Sequence, residues 1–356
     1  MKIFGITGAS GSGKTVLVEQ LVPRLKARGL RVSVVKHTHH DVDLDRPGKD
    51  SFRQREAGAQ EVMVVGPRLQ AIFHELRGAP EPTLDELLGR LAPCDVVLVE
   101  GYKQAALPKL EVFRPSHGSS PLHPDNPHVV AVASDAPPSG EVSLPWLDLN
   151  APDALADFVV AQLERQAPWG PTGQPGAIGA TYGIGAAYGI AGWSGAGKTT
   201  LICRVIPELV SRGRRVSVLK HAHKGFDVDQ PGKDSSRLRV AGAQEVLLAG
   251  PRRWALLHDL VAGDEPSLEA CRRRLAACDL LLVEGFKQDA LAKLEVFRAA
   301  HGRPPMYPDN PWVHGVATDG GLPVACRPGV SVVDLNDGRA VADFLLREVG
   351  LLEPGR

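Results

Sequence analysis

A Gly-rich pattern that occurs twice at one fixed spacing constrains this chain more than any other feature. Gly8-Ala9-Ser10-Gly11-Ser12-Gly13-Lys14-Thr15 recurs as Gly192-Trp193-Ser194-Gly195-Ala196-Gly197-Lys198-Thr199, 184 residues further on. The same offset carries Lys36-His37 onto Lys220-His221, and Pro47-Gly48-Lys49-Asp50-Ser51 onto Pro231-Gly232-Lys233-Asp234-Ser235. It also carries Glu100-Gly101 onto Glu284-Gly285 and Glu111-Val112-Phe113-Arg114 onto Glu295-Val296-Phe297-Arg298. Register holds to Asp135 and Asp319, and a two-residue shift then aligns Asp148-Leu149-Asn150 with Asp334-Leu335-Asn336. A match over nearly all of both halves is a tandem duplication. The expected domains are residues 1–165 and 188–356. Residues 166–187, rich in Gly, Pro and Ala and almost uncharged, read as a loose connector.

Within one copy, short apolar runs alternate with helical spacing. Strands are expected at Lys2–Thr7, Arg31–Lys36, Glu61–Gly66, Gln70–Leu76, Cys94–Glu100, Lys109–Phe113 and His128–Ser134. Helices are expected at Thr15–Arg28, Asp50–Gly58, Thr83–Leu91 and Asp153–Arg165. Thr83 with Glu86 forms a capping-box pair. Pro23 and Pro207 fall inside the first helix of each copy, so a kink or early break is expected there. Continuously apolar strands between helices imply an α/β fold: a mostly parallel central sheet flanked by helices, in two tandem copies. Ligands of such sheets sit at the carboxyl ends of the strands.

Composition narrows the partners. Forty-one basic and 41 acidic residues cancel, which argues against a nucleic-acid partner. The apolar runs are strand-length, too short to span a membrane, and the N-terminus carries no signal-peptide pattern. A cytoplasmic location is the expectation. Cys94, Cys203, Cys271, Cys278 and Cys326 form no CxxC pair and read as reduced thiols.

The repeated pattern is G-x-x-x-x-G-K-[ST] between a strand and a helix, a P-loop. Its glycines let backbone N–H groups surround phosphates, and the helix N-terminus adds positive potential. The phosphate-binding residues are Gly8, Gly11, Ser12, Gly13, Lys14 and Thr15, with Gly192, Gly195, Ala196, Gly197, Lys198 and Thr199 in the second copy. Lys14 and Lys198 reach the β/γ-phosphates, and the hydroxyls of Thr15 and Thr199 suit Mg²⁺. Glu100 and Glu284 end apolar strands, where a carboxylate orients Mg²⁺ directly or through water.

The segment from Lys36 to Asp50 is rich in His and Asp. A zinc site does not fit, because the second copy has Lys224 for His40 and Gly225 for Asp41. Three Asp persist: Asp43, Asp45 and Asp50 become Asp227, Asp229 and Asp234. One of them, with Asp45 and Asp229 the selected pair, is expected to complete the Mg²⁺ shell. Lys49, Arg53 and Arg55, persisting as Lys233, Arg237 and Arg239, form a cationic cluster suited to a further phosphate. Asp135 and Asp319 end a late strand, where a carboxylate would accept from guanine N1–H and N2–H.

Several stretches together resemble one family. They are Gly192–Leu201, Lys36–Asp41, Pro47–Ser51, Leu98-Val99-Glu100-Gly101-Tyr102-Lys103 and Val130-Ala131-Val132-Ala133-Ser134-Asp135. The combination resembles the molybdopterin-guanine dinucleotide biosynthesis adaptor protein B (MobB) family, and each half matches along essentially its full length. The resemblance implies a P-loop protein that binds GTP with Mg²⁺ and hydrolyses it slowly. It would work beside the molybdenum cofactor guanylyltransferase, with molybdopterin a further candidate ligand. Lys14, Lys198, Glu100 and Glu284 would be the catalytic groups. The usual single-domain form is similar to a homodimer, so the two halves are expected to form an intramolecular pseudo-dimer, with further self-association open. The first copy departs at Ala9 and Val16, where the second keeps Trp193 and Thr200. Two other functions compete: an ATP-dependent kinase or ligase of the dethiobiotin-synthetase-like group, and a carrier of nucleotide or pterin without chemistry.

Overall fold

The computed structural model describes residues 1–42, 44–169, 183–223, 225–226, 228–260 and 265–352. The first repeat runs β1 (Lys2–Gly8), α1 (Lys14–Ala27), β2 (Val32–His37), α2 (Asp50–Glu56), β3 (Glu61–Val65), β4 (Leu69–Glu75) and α3 (Leu84–Leu88). It continues with β5 (Val96–Glu100), β6 (Lys109–Phe113), β7 (Val129–Ser134), β8 (Trp146–Asp148) and α4 (Pro152–Glu164). The second opens with β9 (Ile184–Ala191), α5 (Lys198–Ser211), β10 (Val216–His221), α6 (Asp234–Val240), β11 (Glu245–Ala249), β12 (Arg253–Asp259) and α7 (Leu268–Arg274). It closes with β13 (Cys278–Glu284), β14 (Lys293–Phe297), β15 (Val313–Thr318), β16 (Ser331–Asp334) and α8 (Gly338–Glu348). Among the described residues no helix is long and apolar enough to cross a membrane.

The compact units do not coincide with the repeats. The first unit comprises residues 1–44, 78–178 and 229–259, and the second comprises 45–77, 179–228 and 260–356. Each unit therefore takes one helix and one hairpin from the other repeat. This division differs from the expected domains, which keep residues 45–77 with the first repeat and 229–259 with the second. The connector is also shorter than expected, because Ile184–Ala187 already belong to β9. Residues 170–182 of that connector lie outside the described residues.

In the first unit the sheet order is β12-β11-β2-β5-β1-β6-β7-β8. Val34 of β2 pairs in parallel with Val246 of the exchanged β11, and among the described residues of this unit only the β11–β12 hairpin is antiparallel. The second unit reads β4-β3-β10-β13-β9-β14-β15-β16, with Val218 of β10 beside Val62 of the exchanged β3. The exchange reaches the cores. Leu238, Ala243 and Val246 pack with Leu17, Leu21 and Val34 in the first unit. Ala59, Val62 and Val64 pack with Leu201, Val205 and Val218 in the second. Burying each such branched side chain is worth about 1.5–3 kcal/mol.

Helix α1 runs through Pro23 to Ala27, and α5 runs through Pro207 to Ser211, so neither breaks early as expected. Five buried side chains of α1, from Leu17 to Leu25, hold it on the sheet, enough to offset the ~3 kcal/mol that an interior proline costs. The capping box is present, with Thr83 and Glu86 bonded reciprocally, although α3 stops at Leu88. Strand β8 was not expected; at three residues it is too short to show a period.

Candidate functional site

In each unit a P-loop leaves the carboxyl end of the first strand and opens a helix. Gly13 and Gly197 cap α1 and α5 in the left-handed conformation, both at φ 98°. Gly8 has φ +141°, and a Cβ there would stand 2.4 Å from the Val112 carbonyl oxygen. Only glycine fits that approach. The lysines fold back on their own loops. Lys14 Nζ donates to the carbonyls of Ala9 at 2.6 Å and Gly8 at 3.2 Å, and Lys198 Nζ donates to Trp193 O at 2.9 Å. Burial pulls both ammonium groups below their ordinary pKa, against the pull of Glu100 and Glu284.

A corner of hydroxyl and carboxylate oxygens around a lysine lies beside each loop. In the first unit Thr15 Oγ1 donates to Glu100 Oε1 at 2.8 Å. Lys36 Nζ contacts Thr15 Oγ1 at 2.7 Å, Glu100 Oε1 at 2.9 Å and Asp234 Oδ2 at 2.5 Å. In the second unit Lys220 Nζ meets Asp50 Oδ2 at 2.6 Å, Glu284 Oε1 at 2.8 Å and Thr199 Oγ1 at 3.2 Å. Burial lowers the pKa of Lys36 and Lys220, but the carboxylates more than offset it, and both lie above the ordinary lysine value. Three oxygens around one positive charge form a hard-cation donor set. Glu100 Oε2 is buried with no hydrogen-bond partner among the described residues, so one carboxylate oxygen is left for a ligand. Thr15, Glu100 and Asp234 fit Mg²⁺ once Lys36 gives way, as do Thr199, Glu284 and Asp50.

The exchange changes which residues share a site. Asp234 reaches the first P-loop from the second repeat, and Asp50 reaches the second from the first. The same holds for the arginines of the expected cationic cluster. Arg237 lines the first unit's cavity of ≈ 800 Å³ together with Lys14, Thr15, Lys36, His37 and Tyr102. Arg53 donates to Thr200 in the second unit, at 3.5 Å. Lys49 and Lys233 are the residues before α2 and α6, and they cap those helices through the backbone.

One expected assignment is corrected, and another meets a competing partner. Asp45 and Asp229 do not join the threonine–glutamate corners. Asp45 accepts from Ser51 at 2.9 Å and from Arg55 at 3.1 Å, with the ion pair essentially enclosed. Asp229 does the same with Ser235 and Arg239. A buried guanidinium needs a carboxylate beside it, and these pairs use up Arg55 and Arg239 as well. Asp135 and Asp319 are equally committed, because Arg114 and Arg298 donate to their carboxylates. The same two arginines donate through Nε to the P-loop carbonyls of Ser12 at 3.1 Å and Ala196 at 3.2 Å. A guanine-reading role for either carboxylate would require that arginine to leave.

Sequence reasoning missed Lys36, Lys220 and Arg298 as site residues, although each was visible in the repeat alignment. The His-rich stretch forms no metal cluster among the described residues. His37 bonds Glu81 at 2.7 Å, and His221 pairs with Glu265. Asp43, Lys224 and Asp227 lie outside the described residues.

A smaller cavity of ≈ 200 Å³ adjoins Gly13, lined by Val16, Gln20, Arg114, Leu149 and Asn150. In the second unit Arg204 stands at the place of Gln20, and its Nη1 donates to Leu335 O at 2.6 Å and Asn336 Oδ1 at 3.4 Å.

The family model for "Molybdopterin guanine dinucleotide synthesis protein B" matches the chain twice, at residues 3–135 and 187–319. The chain is similar to the molybdopterin-guanine dinucleotide biosynthesis adapter protein of Escherichia coli, at 44% identity over 161 residues, covering 44% of this chain and 90% of that one. The Haemophilus influenzae protein of the same name is 42% identical over 160 residues, covering 44% and 86%. A crystal structure of a MobB homolog from Bacillus stearothermophilus aligns at 26% identity and a TM-score of 0.37, covering 47% of this chain and 100% of that one.

Proposed function

Because the chain belongs to the molybdopterin guanine dinucleotide synthesis protein B family and so serves as an adapter in that biosynthesis, we propose that it binds GTP with Mg²⁺ in each unit. It hydrolyses GTP slowly and assists the molybdenum cofactor guanylyltransferase. The observation that carries this reading is the P-loop beside the Thr15–Lys36–Glu100–Asp234 corner, built again as Thr199–Lys220–Glu284–Asp50.

The backbone amides from Gly11 to Thr15 receive the phosphates, and Lys14 exchanges its bonds to Gly8 and Ala9 for phosphate oxygens. Thr15, Glu100 and Asp234 would hold Mg²⁺, which supplies charge neutralisation across the β- and γ-phosphates. Release of the Lys36 ammonium toward the γ-phosphate side then adds a second cation to the site. The small cavity beside Gly13, edged by Asn150 and Arg114, lies where a base and ribose leaving the P-loop would extend. Both ends of a nucleoside triphosphate thereby find polar groups in one unit.

Calorimetry with GTP, GDP and ATP in the presence of Mg²⁺ tests the reading on the wild type and on Lys14→Ala and Lys198→Ala. The wild type should bind two GTP and each variant one, with affinity at the altered site falling at least about 100-fold, ~2.7 kcal/mol. No triphosphate captured by the folded wild type would refute it. Rapid turnover of ATP in preference to GTP would favour the kinase or ligase alternative.

A further inference from the structure

The exchanged helices bring different chemistry to the two P-loops. We infer that the second unit is the hydrolytic site and the first a retaining site, because Arg53 and Gln54 serve the second while a captured Arg237 and an apolar Leu238 stand in their places in the first. The inference rests on the nucleotide reading above.

In the second unit Gln54 of α2 is wholly buried. Its Nε2 donates to Glu284 Oε2 at 3.5 Å, and Glu284 in turn accepts from Thr199 Oγ1 at 3.1 Å. The other end of the amide, Oε1, is buried with no hydrogen-bond partner among the described residues. An unpaired buried acceptor is costly, and this one lies two hydrogen bonds from the P-loop threonine. A carboxamide with its nitrogen anchored and its oxygen unpaired is suited to accept a hydrogen bond from an attacking water and orient it. The neighbouring residue, Arg53, lies 3.5 Å from Thr200 Oγ1 in the first turn of α5. The residue facing it from that helix is Cys203. Burial pushes this thiol up, and Arg53 is the leading influence pulling against it. A neutral thiol adds no second carboxylate to the one Arg53 already faces, Asp50 at 3.9 Å, and so leaves the guanidinium more available to phosphate.

The first unit has the same backbone with both devices removed. The residue at the place of Cys203 is Glu19, and its Oε2 binds Arg237 Nη2 at 2.7 Å. The other carboxylate oxygen, Glu19 Oε1, is buried with no partner among the described residues, so the carboxylate depends on this arginine. Leu238 replaces Gln54 and packs in the apolar core with Leu17 and Val18. It has no polar atom to orient water.

The step itself is ordinary hydrolysis. The oxygen of water bonds to the γ-phosphorus as the bond from that phosphorus to the bridging oxygen of GDP breaks. One water proton stays on the phosphate and the other passes to solvent. Arg53 neutralises charge on the transferring group, and Gln54 positions the water. Glu19 is a positioning residue that keeps Arg237 from the phosphate.

Lys14→Ala leaves only the second unit's loop intact, and Lys198→Ala only the first's. With GTP binding at the remaining site measured by calorimetry, phosphate release by Lys14→Ala should exceed that of Lys198→Ala at least about tenfold. In the Lys14→Ala background, Gln54→Leu should lower kcat about tenfold while KM moves less than about twofold. Cys203→Glu should lower it similarly by capturing Arg53, without touching the amide. In the Lys198→Ala background, Glu19→Cys should raise kcat at unchanged KM. Equal rates from two single-site proteins that both bind GTP overturn the inference and leave the binding reading intact, as does indifference of kcat to both Gln54→Leu and Cys203→Glu. Failure of both single-site proteins to bind GTP overturns the inference together with its foundation.

Discussion

The two units share a sheet order, a P-loop and a lysine held among a threonine and two carboxylates, yet they differ at several side chains that approach that frame from outside. Gln20 edges an open cavity in the first unit, whereas Arg204 reaches across to Leu335 and Asn336 in the second. Glu19 holds Arg237 in the first, and Cys203 faces Arg53 in the second. Val16 is exposed where Thr200 offers a hydroxyl. Backbone geometry has been kept and peripheral chemistry has diverged. That is the pattern expected when two copies must still fold alike but no longer perform the same task.

The largest test of this comparison concerns the core. Leu238→Ala should cost about 2–5 kcal/mol in denaturant unfolding, because a fully buried leucine leaves a cavity in the first unit. Proteolysis should find the loss in residues 1–44 and 78–169, the partners of the exchanged segment, as well as around residue 238. Damage confined to the second repeat would break the assignment of units. A middle-sized effect is expected at the nucleotide periphery. Arg204→Gln, measured in the Lys14→Ala background, should tighten guanine-nucleotide binding at the second unit about threefold, ~0.7 kcal/mol. Unchanged affinity would show that Arg204 does not distinguish the sites.

The smallest effect is one that the units should share. Hydrogen bonds from Arg31 hold the Asp95 carboxyl below its ordinary pKa. Burial opposes ionisation of Asp279, but hydrogen bonds from Arg215 more than offset it, and its pKa is likewise lowered. A depressed folded pKa gives stability that is present above the unfolded carboxylate value and lost as pH falls through the folded one. Asp279→Asn should therefore destabilise by under about 1 kcal/mol at pH 7, since the pair is partly exposed. The difference from wild type should vanish below the ordinary carboxylate range, and Asp95→Asn should follow the same pH course. Unlike pH courses would place the divergence deeper than the periphery.

Local features were legible in the chain because local chemistry produces them. The P-loops need glycine at fixed positions, the Thr83–Glu86 box needs only residues three apart, and the apolar runs of β5 and β13 can only be buried strands. The exchange was not legible for a reason inherent in duplication. Asp50 stands at one separation from Lys36 and Asp234 at the same separation from Lys220, so pairing within a repeat and pairing across repeats look identical along the sequence. Patterning gives both alternatives the same apolar faces. Asp45 was misread for a simpler reason: a carboxylate near a P-loop suits a ligand until the arginine that already occupies it is found.

The crossing of residues 45–77 and 229–259 makes inheritance between the copies reciprocal. A codon change in the second repeat at position 237 or 238 is expressed as a trait of the first P-loop, and a change at 53 or 54 as a trait of the second. Neither copy can decay into a spectator by itself, since each carries furnishings that the other must use. Selection on one pocket is thus recorded partly in the opposite half of the gene, and drift in either half is policed at both addresses.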